Sequence, residues 1–154
     1  FNMYGDYVLD KGAYNFTFLN LVNKGFRLLP GSHILWTGNP YEAVLEVQAA
    51  YNVSTSLYPI LILSGSDEAA RNNPIYKRLY PVKVLLWLTG NLLSPEIKLG
   101  LDINEQDYPK DPAFLGVMGF LNRLRQDEQE MSRQVISLII LRRLQPEGSF
   151  NSVQ

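Results

Sequence analysis

Apolar side chains recur along this chain at two intervals, every second residue up to about position 103 and every third or fourth residue after about position 113. Side chains alternate between the faces of a strand and return to one face of a helix after three or four residues, so the first part reads as strands and the second as helices. In Tyr14-Asn15-Phe16-Thr17-Phe18 the rings of Tyr14, Phe16 and Phe18 share one face. From Ala43 to Tyr51, the pattern puts Leu45, Val47, Ala49 and Tyr51 on one face, with Glu46 and Gln48 opposite. Val82, Val84, Leu86 and Leu88 form a third such row, and Ile97, Leu99, Leu101 and Ile103 a fourth, with Lys98, Gly100 and Asp102 facing the other way. Each strand is one-sided.

The punctuation between these runs is turn chemistry. Gly31-Ser32 and Thr37-Gly38-Asn39-Pro40 each hold a glycine free to take positive φ, and in the second Pro40 restricts Asn39. The spacing predicts strands over about Phe26–Leu29 and His33–Thr37 joined as a hairpin. Thr37-Gly38-Asn39 recurs 52 residues later as Thr89-Gly90-Asn91, again ahead of a proline, Pro95, which suggests stacked β-units. Leu61-Ile62-Leu63 resembles a short strand, and residues 64–80 read as a mobile loop between strands.

After Pro109 and Pro112 the helical period begins with Leu115, Gly119, Phe120, Leu121 and Leu124, and continues through Met131, Val135, Leu138, Ile139 and Arg142. Two amphipathic helices are expected within 113–144. Asp127, Glu128 and Glu130 open the second, and Arg142 and Arg143 lie near its end, the charge order a helix dipole favours. Pro146 and Gly148 are expected to stop it, leaving 145–154 as a tail. The expected organisation is one domain over 1–154, with its sheet in 1–103.

Composition narrows the function classes. At 154 residues and 46% hydrophobic, the chain is large enough for one domain with a substantial core. A net charge of −1 provides no basic field for nucleic acid. Without cysteine, neither disulfides nor thiolate metal sites are available, so periplasm and cytosol both stay open. Apolar stretches such as Leu138-Ile139-Ile140-Leu141 fall far short of the roughly 18–20 residues that cross a bilayer. The first residues do not resemble a signal peptide; a start at Phe1 reads as a piece of a longer chain with any anchor upstream.

Catalytic chemistry has little to work with. His33 is the only histidine and is read as a hairpin residue rather than a base. Asp127, Glu128 and Glu130 are read as helix-start charges on a solvated face. No serine sits in a Gly-x-Ser-x-Gly elbow, and no glycine-rich turn precedes Lys-Ser or Lys-Thr. No catalytic residue, metal or cofactor is expected. The one-sided strands must bury their apolar faces against something. Two arrangements do so: a closed sandwich or barrel core, or an open, curved antiparallel sheet whose apolar groove holds acyl chains or a guest strand and whose edges pair with a partner.

Three stretches carry a family resemblance. Gly12-Ala13-Tyr14-Asn15-Phe16, Lys24-Gly25-Phe26, Gly31 through Pro40 and Ala43 through Tyr51 resemble, in that order, the recurrent motif of the TamB C-terminal domain. Asn39 replaces that motif's commoner Asp and keeps its turn chemistry. Pro81 through Ile97 resembles the family's strand-turn-strand, and Glu128 through Leu141 with Pro146-Glu147-Gly148-Ser149-Phe150 its late helix and tail. The last two are most similar to members from the Bacteroidetes branch. The resemblance implies a large protein anchored in the inner membrane, crossing the periplasm as a taco-like β-sheet groove. It would meet an Omp85-type (TamA-like or BamA-like) outer-membrane barrel in the assembly or secretion of outer-membrane proteins and the movement of phospholipid.

On that basis the groove lining is expected at Tyr14, Phe16, Phe18, Leu45, Val47, Ala49, Val84, Leu86, Leu88, Leu99 and Leu101, and partner docking at Met131, Val135, Leu138 and Ile139. The competing expectation is a structural adaptor that docks on a barrel through an edge strand or the late helix and touches no lipid. A small hydrolase would need a compact polar pocket around His33 or the acidic cluster.

Overall fold

The computed structural model describes residues 1–18, 22–61 and 72–146, and at residues 14–18, 22, 23, 61 and 113 it describes the backbone alone. Strands β1 (Met3–Leu9), β2 (Ala13–Phe18), β3 (Val22–Leu28), β4 (Ser32–Gly38), β5 (Val44–Ser56), β6 (Leu79–Asn91) and β7 (Ser94–Asp102) form one seven-stranded sheet, mainly antiparallel. β3 and β4 both pair antiparallel with β5, Leu28 opposite Ala49 and His33 opposite Glu46. They therefore lie end to end along one side of it. On their far side β1 pairs with β4 and β2 with β3. On the other side of β5 comes β6, and among the described residues β7 pairs with β6 alone. The sheet is open, with β1 and β2 at one edge and β7 at the other.

The hairpin expected between Phe26–Leu29 and His33–Thr37 is not formed, because those two segments neighbour β5 and not each other. Gly31, at φ 91°, closes a local offset instead of a reversal. Buried Ser32 repairs the ladder there: its hydroxyl donates to Leu29 O (2.8 Å) and accepts from Gln48 N (3.0 Å). Leu29 N meanwhile donates to Gln48 O at 2.7 Å. Pro-Gly-Ser suits a tight turn and a bulge equally, and the choice rests on which strand lies alongside.

Contacts divide the chain into two compact units, residues 1–51 with 84–99 and residues 52–83 with 100–154. In the first unit the expected alternation holds along β5, with Leu45, Val47 and Ala49 buried and Val44, Glu46 and Gln48 exposed. Val84, Leu86 and Leu88 on β6 are buried in the same way. Burying a Leu or Val side chain is worth roughly 1.5–3 kcal/mol, so these rows are a large part of what stabilises the unit. The Thr-Gly-Asn repeat is real as chemistry: Gly38 and Gly90 both have positive φ, 143° and 87°. Asn39 Oδ1 accepts from Tyr41 N (3.0 Å) and Asn91 Oδ1 from Leu93 N (2.9 Å). The two turns touch where Leu92 N donates to Ala43 O at 2.9 Å.

The second unit adds helical elements α1 (Tyr58–Leu61), α2 (Pro74–Lys77), α3 (Leu115–Leu124) and α4 (Glu128–Leu141). Leu61 is thus helical rather than the start of a strand, while Ile62, Leu63 and residues 64–71 lie outside the described residues. The described remainder of the expected 64–80 loop is a turn capped by Asn73, whose Oδ1 accepts from Ile75 N (3.1 Å), followed by the first residues of β6. α3 buries Val117, Phe120, Leu121 and Leu124, whose spacing makes one stripe. Leu115 and Gly119 fall off that stripe, and Leu115 is 73% exposed.

α4 begins as expected, with the Asp127 carboxylate accepting from Glu130 N (3.1 Å) and Glu128 and Glu130 in the first turn. Its end differs. The helix stops at Leu141 because Arg142 takes a left-handed conformation (φ 53°), and tertiary contacts hold the chain that follows. Thr55 Oγ1 donates to Arg142 O (3.1 Å) and Ser137 Oγ to Arg143 O (2.7 Å). The buried Gln134 amide pairs with both backbone groups of Gln145, at 2.9 Å each. Pro146 comes after the chain has already turned, and Arg133 donates to its carbonyl at 3.1 Å.

Candidate functional site

The residues expected to line a groove are distributed unevenly. Leu45, Val47 and Ala49 on β5 and Val84, Leu86 and Leu88 on β6 are brought together by strand pairing and are buried. Leu101 is buried within the second unit, and Leu99 on β7 is half-buried. Register sets Tyr14, Phe16 and Phe18 opposite Phe26, Lys24 and Val22, but their side chains lie outside the described residues. Met131, Val135, Leu138 and Ile139, expected as a docking face, are buried on α4. On that helix the exposed apolar residues are Ile140 and Leu141.

The two edges of the sheet differ in chemistry. β7 carries Pro95, Glu96, Lys98 and Asp102, and such residues blunt an edge against pairing with other chains. β1 reads Met-Tyr-Gly-Asp-Tyr-Val-Leu, with no proline or lysine and a single charge. Its Tyr4, Tyr7 and Val8 are 75%, 62% and 58% exposed. Tyr7 meets Trp36 edge to face, with ring centroids 6.4 Å apart. Among the described residues β1 is therefore an apolar edge that pairs with β4 alone, with Gly5 (φ 144°) near its middle.

His33 has a role the sequence did not reveal. From the middle of three strands its ring reaches Asp6 Oδ1 on β1 through Nδ1 (2.8 Å) and Glu46 Oε2 on β5 through Nε2 (3.0 Å). These two hydrogen bonds hold its pKa above the ordinary histidine value. The carboxylates sit on opposite ring nitrogens and so do not converge on one point, as ligands of a single metal ion would. Among the described residues no group of three such side chains is arranged to hold a metal. The sequence signal was slight: a polar residue on the outward phase of a strand, with partners 27 and 13 residues away.

Within the second unit, a cleft of about 500 Å³ opens beside the start of α3, lined by Ile103, Tyr108, Pro109, Phe114, Leu115 and Val117. Tyr108 stacks on Tyr80 at 5.2 Å and donates to Pro81 O at 2.7 Å. Burial pushes its hydroxyl pKa well up, so at neutral pH it is a hydrogen-bond donor and not an anion. This cleft is mainly apolar, with Glu105, Lys110 and Asp111 at its lining, and neither His33 nor the Asp127–Glu130 cluster contributes to it.

Among the described residues no helix is long and apolar enough to cross a membrane, which says nothing of strands. No curated protein and no solved structure gives a significant match. The TamB C-terminal domain family matches residues 1–154, the full sequence given. An open, mainly antiparallel sheet followed by two amphipathic helices agrees with the order of the motifs along the chain. The chain belongs to the TamB family, envelope proteins of the periplasm with a role in the translocation and assembly module.

Proposed function

We infer that this chain is the periplasmic docking module of an inner-membrane-anchored protein, and that it meets an Omp85-type outer-membrane barrel through the edge strand β1 during assembly or secretion of outer-membrane proteins. The observation that carries this is the inequality of the two edges: β7 bears proline and charge, whereas β1 presents exposed Tyr4, Tyr7 and Val8 and, among the described residues, a backbone paired with β4 alone. A barrel whose seam opened would offer a strand edge of the same kind, and pairing two such edges would satisfy backbone groups on both sides. No catalytic residue is needed for this work. Site-specific photo-crosslinkers at Tyr4 and Val8, compared with positions Glu96 and Lys98, test the assignment in cells. Crosslinks to a barrel protein from β1 but not β7 support it; crosslinks from β7 alone, or from neither, reject it.

Phospholipid passage is the second reading. It is favoured by the rows of apolar residues on β5 and β6, because burying an acyl methylene is worth about 0.8 kcal/mol. Leu45, Val47, Val84 and Leu86 are buried in the folded chain, so lipid reaches them only if what covers them moves. Native mass spectrometry with lipid extraction, on wild type and on Val47→Asp, separates the two. Stoichiometric phospholipid that is lost in the folded variant supports lipid handling, and its absence from both leaves a docking adaptor.

A further inference from the structure

Strands β1, β4 and β5 contain three Asp, Glu, Lys, Arg or His residues between them, and all three meet: Asp6, His33 and Glu46. The other titratable groups on these strands are the phenols of Tyr4, Tyr7 and Tyr51. His33 stands opposite Val8 of β1 and Glu46 of β5, and Asp6 reaches it diagonally from beside Leu35. An imidazolium has two N–H donors and satisfies both carboxylates at once. A neutral imidazole has one, so one carboxylate then faces a nitrogen lone pair at hydrogen-bond distance, with no cation on any of the three strands.

The geometry points to His33 as a proton-operated staple that fastens the edge strand β1 through β4 to β5 when protonated and lets one attachment go when neutral. Its ring is held by both neighbours while 30% exposed, so protons exchange freely with solvent. The sign follows from the raised pKa: the added hold on β1 is complete below the unfolded histidine value of 6.5 and is lost as pH rises through the higher folded value. Glu46 and Asp6 belong to different strands, and losing either contact turns a three-strand tie into a two-strand one.

This regulates the edge to which docking was assigned, and in that respect rests on that reading. The staple itself is measured with no partner present, so its failure and the failure of docking are separable. His33 is the chain's only histidine, which makes its ring signals in an NMR titration unambiguous. The midpoint should lie above 6.5 and move toward it in both Asp6→Asn and Glu46→Gln. Amide protection factors over Met3–Leu9, corrected for intrinsic exchange, should fall about tenfold between pH ~5 and ~8, the range over which histidine discharges. Protection at Val84–Leu88 should not follow that fall, and His33→Gln should flatten the β1 profile. A midpoint at or below 6.5, or a β1 profile indifferent to pH or unchanged by His33→Gln, would overturn the staple.

Discussion

The two units handle polar groups and apolar surface in opposite ways. Among the described residues the first unit exposes nine large hydrophobic side chains and the second four, and Tyr4, Tyr7, Val8, Leu35 and Val44 lie on three neighbouring strands of the first. Conversely, of the buried polar residues Ser32 belongs to the first unit, whereas Thr55, Gln134 and Ser137 belong to the second. Each of those three binds backbone of residues 142–145. A sheet satisfies its backbone within the ladder and leaves its edges hungry for partners. A helix end has orphan carbonyls and a departing chain, and here buried side chains restrain both. The second unit thus locks its own chain, and the first leaves more large apolar side chains exposed.

The largest test of that contrast is Leu138→Ala. Leu138 is fully buried on α4, and the truncation should cost about 2–5 kcal/mol in denaturant unfolding. Leu35→Ala, at 39% exposure in the first unit, should stay within about 0.5 kcal/mol. Similar losses for the two would erase the distinction.

Next come the buried polar bridges. Gln134→Leu leaves both backbone groups of Gln145 without their amide partner, and Ser32→Ala leaves Gln48 N without its acceptor. Each unsatisfied buried group costs about 1–3 kcal/mol. Gln134→Leu should therefore be the more damaging, with lost amide protection concentrated at residues 142–146, while Ser32→Ala should lose it around the junction of β3 and β4. Protection lost equally everywhere would mean the two bridges are not local.

The smallest effects belong to the paired turns: Asn39→Ala and Asn91→Ala should each cost about 0.5–1 kcal/mol, the lower range for a lost side-chain cap. Because Leu92 N bonds to Ala43 O between the turns, the double variant should depart from additivity. A strictly additive pair would show that the turns stand independently.

Alternation along β5 and β6, the capped start of α4 at Asp127 and the Asx chemistry of the two Thr-Gly-Asn turns were all legible in the chain, since each depends on residues a few positions apart. So was the buried stripe Met131, Val135, Leu138 and Ile139, although not that burial would remove it from the free surface. The stripe on α3 was half legible: Phe120, Leu121 and Leu124 were placed correctly, but Leu115 was included and Val117 missed, because the helix start sets the phase. For the groove positions Tyr14, Phe16 and Phe18 the chain gave only their alternate spacing, and their register against β3 came from the fold.

What the sequence determined by itself is therefore the local grammar: period, faces, caps and turn chemistry, together with motif order specific enough to indicate the family. Tertiary structure alone decided which strands are neighbours. It made β3 and β4 two lengths of one border along β5 instead of a hairpin, gave Ser32 its place in the ladder, ended α4 at Arg142, and brought Asp6 and Glu46 to either side of His33. The physical reason is the same throughout. Faces follow from the two-residue repeat of a strand, but neighbours follow from long-range pairing, and a Pro-Gly-Ser that can turn or bulge takes whichever form lets the next strand satisfy its backbone.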